Sequence, residues 1–363
     1  MSLSDTTVGT AGLPTLGVVV TVFHRTQFYP AALASIAAQA GPLPPVEIVV
    51  VRSPDVEIEV PDGFKTRGWS CEVVRSEAIG EGPFFDAGLR RLTTDLVVPL
   101  DDDDLWEPGR LRAIAEAFAA HPMAGYFHNG QAFVDVQGVS LDAGQALRHL
   151  RRFSGAPRGP RTLVTPERLR RQPGKLARWG SVFNNSSVAI RRDDLERCTD
   201  HLRATAWLLD AFLFYAAASS GSDLIFDPTP WTRYRIHHWN KSRGPRTLGP
   251  FGAIESSRSR AGRLASVSAL RTMVDKRGAS WLDPWIERER AYLDLLEGLR
   301  EADLSRLRSF RRALRLGRYV RYVDPLMNVL LSLTALGQTA SPRVASRAYW
   351  REGRPSSSDA DGT

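Results

Sequence analysis

The sequence predicts an α/β fold: a mainly parallel sheet with helices on both faces, followed by a C-terminal helical extension. Three observations carry the prediction. Runs at 17–23 (GVVVTVF), 46–51 (VEIVVV) and 95–100 (DLVVPL) are rich in β-branched residues and read as strands buried on both faces. The segments between them place apolar residues at helical spacing. Strand and helix alternate in order, the pattern of a parallel sheet covered on both sides.

Residues 1–16 read as a flexible tail, because 1–14 carry no basic leader and the apolar run 18–22 is too short for a signal peptide. After the first strand, 29–39 (YPAALASIAAQ) sets Leu33, Ile36 and Ala40 on a helical spacing. The second strand, 46–51, is bounded by prolines on both sides. A short third strand is expected at 71–74 and a helix at 82–92. The strand 95–100 runs directly into Asp101, Asp102, Asp103 and Asp104. Past Gly125 the pattern loosens, and 148–178 holds ten Lys/Arg against one acidic residue, Glu167, as a basic loop with one short helix would. Regular structure resumes with a strand at 187–191, a helix at 206–219 and strands at 223–226 and 232–237. These readings divide the chain into an α/β domain at 17–250, a basic helical extension at 251–350 and a disordered polar tail at 351–363.

With 363 residues, 43% of them apolar and 24% charged, the chain has the composition of a globular protein able to bury a full core. Cys71 and Cys198 lie far apart and match no metal or redox spacing, which fits a reducing compartment. No stretch reaches the roughly 18 apolar residues of a spanning helix, so the expected location is cytoplasmic. The formal charge of +8 implies anionic partners. Nucleic acid is not expected among them, because no DNA- or RNA-binding motif is present and the aromatics are not interleaved with the arginines.

Four consecutive carboxylates at a strand end raise one another's pKa, and a divalent cation among them relieves the strain. Their hard oxygens select Mg²⁺ or Mn²⁺. A solvated acidic loop capping the helix after Pro108 is the plainer alternative. Leu105 and Trp106 break the Asp-Asp-x-x-Asp pattern of prenyl synthases, and the Asp-x-Asp-Asp of some terpene cyclases belongs to all-helical proteins.

Taken in order, VVVTVFHR at 18–25, LASIAAQ with Gln39, EIVVV, PLDDDDLWEP, NSSVAIRRDDL, LLDAFLFYAAASSG and RYRIHHWNKS resemble the family 2 inverting glycosyltransferases of the GT-A fold, which is Rossmann-like. The resemblance covers 17–242. Where the family has Asp-Asp-Gly-Ser after its second strand, this chain has Arg52, Ser53 and Pro54. Its Ala-Arg-Asn-x-Gly helix corresponds to Phe84, Phe85, Asp86, Ala87 and Gly88. Both departures fall on recognition of the nucleotide.

The resemblance implies a nucleotide-sugar donor, an acceptor glycan or lipid-linked sugar, and Mn²⁺ or Mg²⁺ bridging the donor diphosphate. Asp103 and Asp101 are then the expected metal ligands, with His237 reaching the metal or the diphosphate and His238 in reserve. Asp102 and Asp104 are placed to touch sugar or ribose hydroxyls, and Thr21 and Phe23 to line the donor, Phe23 against the nucleobase. Arg25, Arg52 and Arg235 are candidate phosphate or nucleotide contacts. Asp210 is the expected general base, positioned on the helix 206–219. The basic segment 148–178 corresponds to an acceptor loop. Residues 306–323 carry seven arginines and no acidic residue beside an apolar stripe, which would suit an anionic membrane surface at the inner face of the cell membrane. A nucleotidyltransferase is the nearest enzyme alternative, but 23–30 lacks the glycine-rich phosphate loop. A catalytically inactive nucleotide-sugar-binding module is the other, and it would not need both the aspartate run and Asp210.

Overall fold

The structure, a computed structural model, describes residue 10 and residues 12–23, 26–141, 159–171, 183–237, 250–283 and 286. The chain divides into two units, Met1–Ser280 and Trp281–Thr363, and nearly all of the second lies outside the described residues. The strands are β1 (Leu16–Val22), β2 (Val46–Arg52), β3 (Ser70–Arg75), β4 (Leu96–Asp101), β5 (Leu105–Trp106), β6 (Ala124–Val134), β7 (Thr162–Val164), β8 (Val188–Arg191) and β9 (Asp223–Arg235). The helices are α1 (Tyr29–Ala37), α2 (Gly63–Thr66), α3 (Glu81–Leu89), α4 (Arg110–Ala120), α5 (Pro166–Arg171), α6 (Arg192–Glu196), α7 (Thr199–Arg203), α8 (Leu209–Ser220) and α9 (Pro250–Lys276).

Among the described residues the strands form one sheet in the order β3-β2-β1-β4-β8-β6-β9-β5, with β7 on β9. The pairs β3-β2, β2-β1 and β1-β4 are parallel and unbroken in register. All seven residues of β1 are buried, as expected of a strand covered on both faces. On one face Val18, Val20, Ile48, Val50, Val98 and Leu100 meet Leu33 and Ile36 of α1 and Leu111, Ile114 and Phe118 of α4. On the other face α3 approaches so closely that a Cβ at Gly88 would stand 2.7 Å from Val19 Cγ1. Each of these aliphatic side chains contributes about 1.5–3 kcal/mol by leaving water.

Beyond β4 the sheet departs from the parallel pattern. Strand β8 runs antiparallel to both β4 and β6, while β6 and β9 are parallel to each other. The loosening expected after Gly125 is instead the eleven-residue strand β6, whose sequence AGYFHNGQAFV buries polar His128, Asn129 and Gln131 and so lacks an apolar signature. The two strands expected at 223–226 and 232–237 are the single strand β9, carried across Pro228 and Pro230 by an irregularity opposite Asn129/Gln131. Within the basic segment, β7 and α5 are formed, and Arg161 pairs with Asp227 at 2.7 Å. Helix α9, read as the start of the extension, falls within the first unit. No helix among the described residues is long and apolar enough to cross a membrane.

Candidate active site

The aspartate run stands at the carboxyl end of β4, next to the end of β1, where ligands of open α/β sheets bind. Asp101 accepts from the Thr21 hydroxyl at 3.5 Å and from Asn185 Nδ2 at 3.3 Å, and its own N–H donates to Ser186 Oγ at 3.0 Å. Asp102 is fully buried and accepts from the Phe23 N–H at 3.2 Å, tying the end of β1 to the turn. The turn is held from behind by Gln39, whose amide donates to Glu107 O at 2.8 Å and accepts from the Leu111 N–H at 2.9 Å. Trp106 Nε1 donates to Ser186 O at 2.9 Å, so the Trp of the motif braces the Asn185–Ser187 turn that faces Asp101.

Asp101, Asp103 and Asp104 each offer a carboxylate oxygen within 4.8 Å of the others. Asp104 accepts from the Arg235 N–H at 3.0 Å through Oδ1, while its buried Oδ2 has no hydrogen-bond partner. Burial, then the charges of Asp103 and Asp101, hold the Asp104 carboxyl well above the usual carboxylate range. Three converging carboxylates fit a hard divalent cation such as Mn²⁺ or Mg²⁺. His237 is buried, stacks on Phe28 with centroids 5.0 Å apart, and places Nε2 2.8 Å from Asp103 Oδ2. That contact ties the Asp103 carboxylate to the end of β9. The Arg235 guanidinium binds backbone: Asp103 O at 2.8 Å, Val136 O at 2.7 Å and Asp135 O at 3.3 Å. These contacts make Arg235 a tether between the aspartate turn and the 135–136 turn.

Asp210 lies in the first turn of α8, reached through Leu208 in the left-handed region at φ 65°. Its Oδ2 accepts from the Asn184 N–H at 3.1 Å and its Oδ1 from the Ala211 N–H at 2.8 Å. Part of the residue's surface stays open. Burial of the carboxyl, then the charge of Glu81 and more weakly that of Asp101, raises its pKa to about 7 against those two hydrogen bonds. Tyr126, buried in β6, feels the Asp210 charge in return. Asn184 has φ 74°, and among the described residues Asn184 and Leu208 are the non-glycine residues with positive φ. Both abut Asp210. Backbone strain gathered on one side chain marks a site whose geometry the surrounding fold enforces.

The structure thus brings Thr21, Asp101, Asp102, Asp103, Asp104, Arg235 and His237 into one bonded network, with Asp210 near enough to sense Asp101. Phe23 stacks on Phe84 at 4.4 Å, beside the aspartates. Arg52 is engaged in its own loop, donating to Ser53 O and Pro54 O at 3.3 Å and pairing with Glu57 at 3.3 Å. Arg25, His238 and the stretch 306–323 lie outside the described residues. Asn184, Asn185, Ser186 and Glu81 are site residues to which the sequence motifs assign no role, although Asn185 and Ser186 open the NSSVAIRRDDL motif. The Asn-Asn-Ser-Ser run leading into β8, and an acidic residue between Gly80 and Gly82, are the signals it offers for them.

Residues 17–172 match the family described as glycosyl transferase family 2. An uncharacterised glycosyltransferase of Nostoc sp. is 27% identical over 237 residues, which cover 62% of this chain. The match spans 66% of that relative's own length, just under two thirds. Among solved structures, TarS residues 1–349 of S. aureus in complex with UDP superposes with a TM-score of 0.54 at 14% identity, covering 94% of this chain and 92% of the other. The same protein with UDP-GlcNAc gives 0.54 at 15% identity, over 94% and 92%. At such identities the likeness establishes a shared fold.

Proposed function

We propose that this chain, a GT-A-fold glycosyltransferase with a family 2 domain at residues 17–172, moves a sugar from a nucleotide-diphosphate donor to an acceptor hydroxyl with inversion at the anomeric carbon. The observation that carries the reading is the separation of two acidic centres. Three carboxylates converge at the end of β4, and a single carboxylate at the head of α8 is held near the pH at which a general base works.

Asp210 takes the proton of the acceptor hydroxyl as that oxygen bonds to the anomeric carbon and the bond from that carbon to the diphosphate breaks. The Asn184 and Ala211 N–H groups aim one oxygen each and leave lone pairs for the proton. Asp101, Asp103 and Asp104 are the residues that would hold Mn²⁺ or Mg²⁺, with His237 orienting Asp103. A cation there would neutralise charge developing on the leaving diphosphate. Phe23 and Thr21 border the same strand ends and line the donor side. UDP-GlcNAc, held by TarS, is the first donor to try, with UDP, also held by TarS, as the sugar-free nucleotide control.

The test is a panel of nucleotide sugars with Mn²⁺ or Mg²⁺. A donor at 100 times its Kd should add about 2.7 kcal/mol of stability. Turnover should stop in EDTA and return with added Mn²⁺, and the product should have the opposite anomeric configuration. Full activity in EDTA, or a retained configuration, contradicts the reading.

Basic charge at 148–178 and 306–323 supports an acceptor carrying phosphate, a glycan or lipid-linked sugar, and peripheral attachment to an anionic membrane surface. Co-sedimentation with anionic liposomes that weakens with salt is the expected result. Its absence at low salt removes the attachment.

A further inference from the structure

Resting on the reading of Asp210 as base, we propose that α9 is a positioning strut for the catalytic centre: Gly262 and Ser266 hold Trp207, and through it the Leu208 turn that delivers Asp210. The Trp207 N–H donates to Ser266 Oγ at 2.9 Å, and the Ser266 hydroxyl donates its own proton to Gly262 O at 2.8 Å. Ser266 itself is fully buried. The Trp207 ring lies against Gly262 so closely that a Cβ there would overlap Cδ1 and Nε1. A glycine at 262 is what lets the indole seat.

The segment on which Trp207 lies is clasped from the other side by α3. The Glu81 N–H donates to Ala206 O at 2.8 Å, the Gly82 N–H to Thr205 O at 2.9 Å, and Glu81 Oε2 accepts from the Leu209 N–H at 3.1 Å. Residues 205–209 therefore pass between two fixed elements just before Asp210. A left-handed leucine persists only where its surroundings over-determine it. At the other end of α8, Arg277 caps the helix, donating to Ala216 O at 2.8 Å, Ser220 Oγ at 2.7 Å and Ser219 Oγ at 3.1 Å. The two ends of the contact thus have separable roles: Arg277 secures the helix, whereas Gly262 and Ser266 set where its first turn points.

Steady-state kinetics on the full chain separates them. Ser266→Ala and Gly262→Ala should lower kcat ~10-fold or more with donor KM within about twofold, since a small misplacement of a reacting group is felt in turnover. The pH midpoint of kcat should move too, because Glu81 from α3, Asp101 from β4 and Tyr126 from β6 face Asp210 and their distances to it change. Ser266→Thr, which keeps the hydroxyl, should restore both. Arg277→Ala should lower Tm and leave kcat and its midpoint in place. If Gly262→Ala does not fold, Ser266→Ala, which removes one oxygen and adds no volume, decides alone. Lower Tm with unchanged kcat and midpoint in Ser266→Ala, or no recovery in Ser266→Thr, overturns the positioning role. Asp210→Asn run alongside shows which idea failed: wild-type turnover there removes the base itself, whereas lost turnover there with normal Ser266→Ala removes only the strut.

Discussion

The two halves of the sheet are built by different rules. From β3 to β4 the strands are parallel, in unbroken register, and their apolar side chains meet α1, α4 and α3. From β8 to β9 the pairing changes direction, the register slips at Ala124/Tyr126 and Asn129/Gln131, and His128, Asn129, Gln131, Asn185, Ser186 and Thr232 are buried. The first half delivers its carboxylates by simple extension of a strand. The second half delivers Asp210 through two residues of positive φ and a web of backbone donors. Rigidity comes cheaply where burial is apolar. Where polar groups are buried, the hydrogen bonds they make dictate the geometry.

The largest test of this contrast is Asp210→Asn, which keeps the shape and removes the proton acceptor. Turnover should fall by ~10²–10⁴ with donor affinity by calorimetry nearly unchanged. Lost donor affinity in a folded variant would move Asp210 to the binding side of the comparison. Next in size is His237→Ala. If the imidazole orients Asp103, Mn²⁺ affinity should drop ~10–100-fold while the far-UV spectrum holds. Unchanged affinity would make His237 a core residue alone.

The smallest expected effect is on stability against pH. The Asp210 carboxyl is raised from 3.8 to about 7 in the folded protein, so the unfolded chain ionises first. The stability it contributes is complete below 3.8 and is lost as pH rises through about 7, a few kcal/mol at most. Turnover should rise over the same window as the base deprotonates. Chemical denaturation of the metal-free protein from pH 4 to pH 8 should show the fall, and Asp210→Asn should reduce it. An equal fall in the variant would assign the loss to other groups, Asp104 first.

Much of this architecture is legible in the amino-acid order alone. The period of the β-branched runs determines β1, β2 and β4, and the position of the aspartates after an apolar strand determines that they stand at the carboxyl end of the parallel strands. The family motifs point to Asp210 and His237. Strand β6 is not legible, because His128, Asn129 and Gln131 interrupt the apolar pattern and are made tolerable only by partners distant in sequence, such as Phe183 and Thr232. Arg52 resists for the opposite reason: its charge suggests a ligand contact, while Glu57 and two carbonyls of its own loop occupy it.

The sequence by itself determined the fold class, the parallel half of the sheet and the aspartate run that ends β4, since these follow from local period and composition, whereas Asp210 came from the motif resemblance. Only the tertiary structure decided that Asp104 joins Asp101 and Asp103, that His237 stands behind Asp103, and that Glu81, Asn184 and α9 meet at the head of α8. The reason is physical: a pKa, a hydrogen bond or a strained turn is set by neighbours in space, and those neighbours lie as far as 134 residues apart along the chain.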